Sequence, residues 1–125
     1  FKQKYMKILI VEDNLLLREN LEFLLKKFQF VPESAANGQI AFDKICSSKY
    51  DAMILDVNMP EMSGLEVLAA VRADPNSKGV PIIMCTSVAD KSQVMEAIKA
   101  GASNYVVKPF KPEELQKKVE AVLKK

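Results

Sequence analysis

The chain has 125 residues, a formal net charge of +2, and a composition that is 49% hydrophobic and 27% charged, which fits one soluble globular domain and excludes a disordered segment. No apolar run approaches the ~18 to 20 residues of a membrane span, and the charge is too small and too evenly spread to be a nucleic-acid footprint. Histidine is absent, which removes Ser-His-Asp and Cys-His catalysis, the usual zinc sites and any histidine general base.

Taken in chain order, Lys2, Lys4 and Lys7 precede the apolar run Ile8 to Val11, which stops at Glu12 and is too short for a signal peptide; a cytoplasmic protein is expected. Asn14 can cap a helix with the core stripe Leu17, Leu21, Leu24, Leu25 and Phe28. Gln29-Phe30 leads into a short strand from Val31 to Ala35, and Asn37-Gly38 turns the chain into a helix carrying Ile40, Ala41, Lys44 and Ile45. Met53-Ile54-Leu55 reads as a buried strand ending at Asp56. Ser63 and Glu66 form a capping-box pattern that opens a third helix with Leu65, Leu68, Ala69 and Arg72 at helical spacing. After a polar loop, Ile82 to Cys85 is a strand ending in Thr86, and a second capping box from Asp90 to Gln93 opens a helix through Val94, Ala97 and Ile98 that stops at Gly101. Tyr105-Val106-Val107 is the last strand, ending at Lys108, and Pro112 with Glu113 and Glu114 opens the final helix through Leu115, Val119, Val122 and Leu123. Lys117, Lys118, Lys124 and Lys125 are expected to complement its carboxyl end. Cys46 and Cys85 lack CxxC spacing and stand in apolar contexts, so two buried, reduced thiols are expected. The pattern is five βα units with a parallel sheet, without linker or repeat.

In such a sheet ligands bind beyond the carboxyl ends of the strands. Glu12, Asp13, Asp56, Thr86 and Lys108 each stand at such an end and would share one crevice. Consecutive carboxylates repel one another and raise each other's pKa unless a cation neutralises them. Oxygen ligands without imidazole or thiolate suit Mg²⁺ or Mn²⁺. Asp13 as a plain helix cap, with Glu12 solvated, is the alternative for the pair alone. With a metal on one side and Lys108 on the other, Asp56 would sit in a field that favours a dianionic group attached to it, which describes an aspartyl phosphate. The Lys108-Pro109 bond admits a cis peptide at small cost, a turn expected to aim the ammonium into the crevice.

The stretches Ile10 to Asn14, Leu55 to Pro60 with Gly64, Thr86-Ser87, and Gly101 to Phe110 together resemble the receiver domains of two-component response regulators, from Lys7 to Lys124. The last stretch, with Asn58, is especially similar to single-domain chemotaxis regulators. The resemblance implies a doubly wound (βα)5 flavodoxin-like fold with strand order 2-1-3-4-5, and one receiver domain over 1–125 with 1–6 as an extension. It implies that Asp56 is the phosphoacceptor, that Asp13 and Asp56 bind Mg²⁺ directly, that Glu12 reaches it through water and that Asn58 adds its backbone carbonyl. Lys108 and Thr86 would contact the phosphoryl group, small Ser87 would leave access, and Tyr105 would be the switch aromatic. Apolar Val88 opposite polar Asn58 suggests an aspartyl phosphate of moderate lifetime. The implied partners are a histidine kinase or histidine phosphotransfer protein, whose histidine this chain lacks, and a downstream protein or output domain bound at the face formed by the helix after Asp90, the Tyr105 strand and the last helix. The domain would catalyse its own phosphorylation and dephosphorylation as a monomer or a phosphorylation-dependent dimer. It would act alone, as part of a longer regulator or hybrid kinase, or as a pseudo-receiver interaction module.

Two other classes fit less well. A flavodoxin-like electron carrier needs phosphate-binding donors after the first strand, where this chain has Glu12-Asp13-Asn14, and tryptophan is absent. A Mg²⁺ phosphohydrolase with an aspartyl nucleophile would want a second acid where Asn58 stands, and a cap insertion that the chain lacks.

Overall fold

The computed structural model describes residues 6–87 and 91–123, and over them strand and helix alternate in the expected order. The strands are β1 (Lys7–Val11), β2 (Val31–Ala35), β3 (Ala52–Asp56), β4 (Ile82–Ser87) and β5 (Asn104–Lys108); the helices are α1 (Leu15–Lys27), α2 (Gly38–Ser47), α3 (Gly64–Ala73), α4 (Lys91–Lys99) and α5 (Pro112–Leu123). All pairings are parallel, in the order β2-β1-β3-β4-β5. This is the doubly wound, flavodoxin-like topology that the resemblance implied.

A parallel sheet covered on both faces needs apolar side chains at successive positions, which is why its strands read as continuous runs. Ile8, Ile10, Ile54, Ile83, Cys85 and Val106 pack beneath α1 and α5. Their alternating neighbours Leu9, Val11, Met53, Leu55, Ile82 and Met84 face the other layer with Val67, Leu68 and Val71 of α3. Register brings the strand ends level: Val11 pairs with Leu55, Asp56 with Cys85 and Ser87 with Lys108. The residues that follow these runs therefore gather at one edge.

Asn14 Oδ1 accepts the Leu17 N–H at 3.0 Å, and Ser63 and Glu66 complete both halves of their capping box, as the sequence pattern predicts. The second capping box includes Asp90, which lies outside the described residues, as does Val88. Several core expectations need correction. Leu17 and Ile40 are about 40% exposed, because both stand in the first turn of a helix that has only just left the sheet edge. In α3 Gly64, Val67, Leu68 and Val71 are buried, Leu65 only partly so against the same core, and Ala69 is exposed, since Gly64 packs on the Asp56-Val57 backbone and sets the helix rotation. Among the described side chains of α4, Ala97 is buried while Ile98 is exposed. Cys85 is buried but Cys46 is only partly so. Lys124 and Lys125 lie outside the described residues, and within α5 as described no basic residue occupies the last turn. Lys118 instead lies over the Tyr105 ring, 4.9 Å from its centroid, and donates to Asn104 Oδ1 at 3.3 Å. No described helix is long and apolar enough to cross a membrane.

Candidate functional site

Three carboxylates meet at the carboxyl edge of the sheet. Glu12 directly follows β1, Asp13 begins the turn into α1, and Asp56 ends β3; one oxygen from each lies within 4.8 Å of the others. Glu12 and Asp56 are each 3% exposed, whereas Asp13 is open to solvent. Lys108, at the end of β5, crosses β4 to place Nζ 3.0 Å from Asp56 Oδ1 and 3.5 Å from Glu12 Oε1. The Lys108-Pro109 peptide is cis.

The electrostatics follow from burial. Desolvation pushes the Asp56 carboxyl above its ordinary value, and the Lys108 ammonium and the Asn58 backbone N–H only partly counter it. Burial also raises Glu12, opposed by the Asn14 N–H it accepts and reinforced by Asp56. For Lys108 burial works downward, but the carboxylates of Asp56 and Glu12 beside it outweigh this and hold the ammonium protonated. Beneath them burial pushes the Cys85 thiol up to about 12, so it stays protonated.

Asp56 Oδ1 is a buried atom on which, among the described residues, no hydrogen-bond donor is aligned. The Lys108 nitrogen is close enough in distance but off the hydrogen-bond line, so the contact is one of charge. A buried acceptor left in this state calls for a ligand. Two further carboxylates within reach, with neither imidazole nor thiolate in the set, give an acidic pocket that fits Mg²⁺.

Thr86 ends up at the same edge, 1% exposed, one residue beyond the Asp56 partner Cys85. Its hydroxyl donates to the Ser87 carbonyl at 3.3 Å. Asn58 is exposed, with its N–H toward Asp56. Tyr105 is not in the crevice; on edge strand β5 the residue is 36% exposed and its ring is stacked under Lys118. Arg18 was not singled out from sequence, and Gly64 was noted there only as part of a motif, without a structural role. Arg18 donates from Nη1 to the Glu12 carbonyl at 2.8 Å, and a Cβ on Gly64 would collide with the Asp56 carbonyl oxygen. A basic residue one turn inside a helix that starts beside an acidic pair was the available signal for Arg18.

Comparison with known proteins agrees with this geometry. The chain is 39% identical over 121 residues to the chemotaxis protein CheY of Pseudomonas aeruginosa, covering 96% of this chain and 98% of that protein. Among solved structures, chemotaxis protein CheY4 of Vibrio cholerae superposes with a TM-score of 0.89 at 36% identity, covering 94% of this chain and 98% of its own. The receiver domain of a Pseudomonas aeruginosa sensor histidine kinase, with a magnesium ion coordinated in its active site cleft, superposes with a TM-score of 0.89 at 30% identity, covering 96% and 98%. The family model for the response regulator receiver domain matches residues 8–120, a span that takes in all five strands and the acidic edge they share, and the chain belongs to that family.

Proposed function

We propose that this chain is a signalling switch that accepts a phosphoryl group on Asp56 in a reaction requiring a divalent cation. The observation that carries it is Asp56 Oδ1: buried, without an aligned donor, beside an ammonium and two more carboxylates. Glu12, Asp13 and Asp56 would hold Mg²⁺, with the Asn58 carbonyl as a further ligand, and the ion when bound offsets carboxylate charge and negative charge on the transferred group. Asp56 attacks phosphorus, an O–P bond forms as the P–N bond of a phosphohistidine breaks, and the electron pair leaves with the partner's imidazole. Lys108 stabilises the equatorial oxygens. Thr86 turns its hydroxyl from the Ser87 carbonyl to the phosphoryl group, and Tyr105 moves into the space this opens.

The readout is a population shift on the face of α4, β5 and α5, where Met95, Ile98 and Tyr105 are exposed; a partner must contact the two states differently for phosphorylation to matter. The test is intact mass after incubation with Mg²⁺ and a small-molecule phosphodonor. One phosphoryl addition, lost without metal and lost in Asp56→Asn, is expected. A folded protein that binds Mg²⁺ and gains no mass would make it a pseudo-receiver acting as an interaction module.

A further inference from the structure

Arg18 closes a ring of hydrogen bonds around the acidic turn. Glu12 Oε2 accepts the Asn14 backbone N–H at 3.1 Å, the Asn14 carbonyl accepts the Arg18 N–H at 2.9 Å, and Arg18 Nη1 returns to the Glu12 carbonyl at 2.8 Å. Inside the ring Asn14 Oδ1 caps the Leu17 N–H, and outside it the Glu12 N–H donates to the Ala35 carbonyl at 3.2 Å. Glu12 and Asn14 are thus each held at several atoms, and Asp13 is strung between them. The guanidinium takes the carbonyl of Glu12 and leaves the carboxylate to the Asn14 N–H and Lys108. A charged donor gives the stronger kind of hydrogen bond, and the planar fork of Arg loses little freedom in making it.

We infer that Arg18 is a positioning residue for the acidic site: by bracing the Glu12 backbone it keeps the Glu12 and Asp13 carboxylates presented beside Asp56 and so sets the affinity for the divalent cation. This rests on the cation-binding reading above. Bracing and charge act in opposite directions, which makes the role measurable. As a bare positive charge, Arg18 would repel Mg²⁺, and its removal would tighten binding. As a brace, its loss loosens the ligands and weakens binding even where the charge is kept.

The experiment is calorimetric titration of Mg²⁺ into the wild-type chain, Arg18→Lys and Arg18→Met, each checked by thermal melting. Bracing predicts that both variants bind about tenfold more weakly, the lower end for groups that orient metal ligands. Phosphorylation by a small-molecule donor falls in the same proportion at low Mg²⁺ and recovers at saturating Mg²⁺, which a general loss of structure would not do. Unchanged affinity in Arg18→Lys with tighter binding in Arg18→Met would overturn the inference and leave only a field effect. Should either variant fail to fold, NMR of the wild type decides: hindered rotation of the Arg18 guanidinium is expected, and free rotation refutes the brace. A folded wild-type chain that binds no Mg²⁺ would remove the cation-binding reading and this inference together.

Discussion

Lys108 Nζ stands 3.0 Å from Asp56 Oδ1 although the two residues lie on strands separated by β4. That ammonium also serves Glu12 at 3.5 Å, so one lysine is shared by two of the three clustered carboxylates. Burial, more than the neighbouring carboxylates, raises the pKa values of Asp56 and Glu12, and one ammonium offsets it only in part. The arrangement stores affinity for a cation at the expense of stability in its absence.

Asp56→Asn should therefore stabilise the metal-free protein at neutral pH. Unfolded, the carboxyl titrates near 3.8 and folded it titrates higher, so the folded chain holds the extra proton between the two values. The contribution of Asp56 to stability is full below the unfolded value and is lost as pH rises through the folded one; Glu12 behaves alike from 4.5. On the order of 1 kcal/mol is expected for relieving one such charge, or roughly 3–6 °C in melting midpoint. The gain should shrink toward pH 4 and when Mg²⁺ stabilises the wild type by binding its folded state. Equal melting of both proteins at every pH would refute it.

Gly64→Ala should damage both stability and the site. The added Cβ would collide with the Asp56 carbonyl oxygen and stand 2.8 Å from Val57 Cα, and neither backbone atom can rotate away. Overpacking of this kind costs about 1–3 kcal/mol. Because the displaced backbone carries Asp56, phosphorylation at saturating Mg²⁺ should slow by more than the melting loss accounts for, since partial unfolding alone scales the amplitude and leaves the rate of the folded fraction unchanged. Unaltered rate and melting would show that the helix start relaxes freely.

The acidic edge was legible because three of the strands are short apolar runs, and Glu12, Asp56 and Lys108 are the charges that stop them. The rotation of α3 was not. Gly-Leu-Glu-Val-Leu-Ala-Ala-Val is apolar nearly all round, so both a Leu65-Leu68-Ala69 stripe and the observed Val67-Leu68-Val71 face fit the helical period, and only the close approach of Gly64 decides between them. Lys118 was grouped with the terminal lysines because its partners Asn104 and Tyr105 lie on another element. The end of α1 was legible from the stripe that stops at Phe28, but not the left-handed turn that follows it, because the position that glycine usually marks carries Gln29.

Gln29→Gly should stabilise the chain. The Gln29 N–H donates to the Lys26 carbonyl and the Phe30 N–H to that of Leu25, with Gln29 at φ 71°, the left-handed position of a Schellman cap. A side chain there costs roughly 1–2 kcal/mol, offset in part by the extra freedom glycine brings to the unfolded chain. A net gain of about 0.5–1 kcal/mol is expected, visible as a higher urea midpoint with an unchanged m-value. Gln29→Asn should fall between the two, and Gln29→Ala should bring no gain, because alanine keeps the Cβ that makes the conformation costly.

Tyr50→Phe tests the opposite pole of the sheet. The Tyr50 hydroxyl donates to Glu33 Oε1 at 2.7 Å, while Lys7 and Lys44 approach the same carboxylate at 3.6 and 3.9 Å. The tyrosine hydrogen bond, ahead of the two lysines, holds Glu33 below its ordinary 4.5. A depressed carboxylate contributes stability above its unfolded pKa and loses it as pH falls through the folded value. Removing the hydroxyl should cost about 0.5–1.5 kcal/mol at pH 7, and the difference from wild type should narrow once Glu33 is protonated in both proteins. A penalty that stays constant from pH 7 to pH 3 would assign the loss to packing of the Tyr50 ring, on which Lys7 also rests at 4.7 Å, and would leave the charged hydrogen bond without measurable weight.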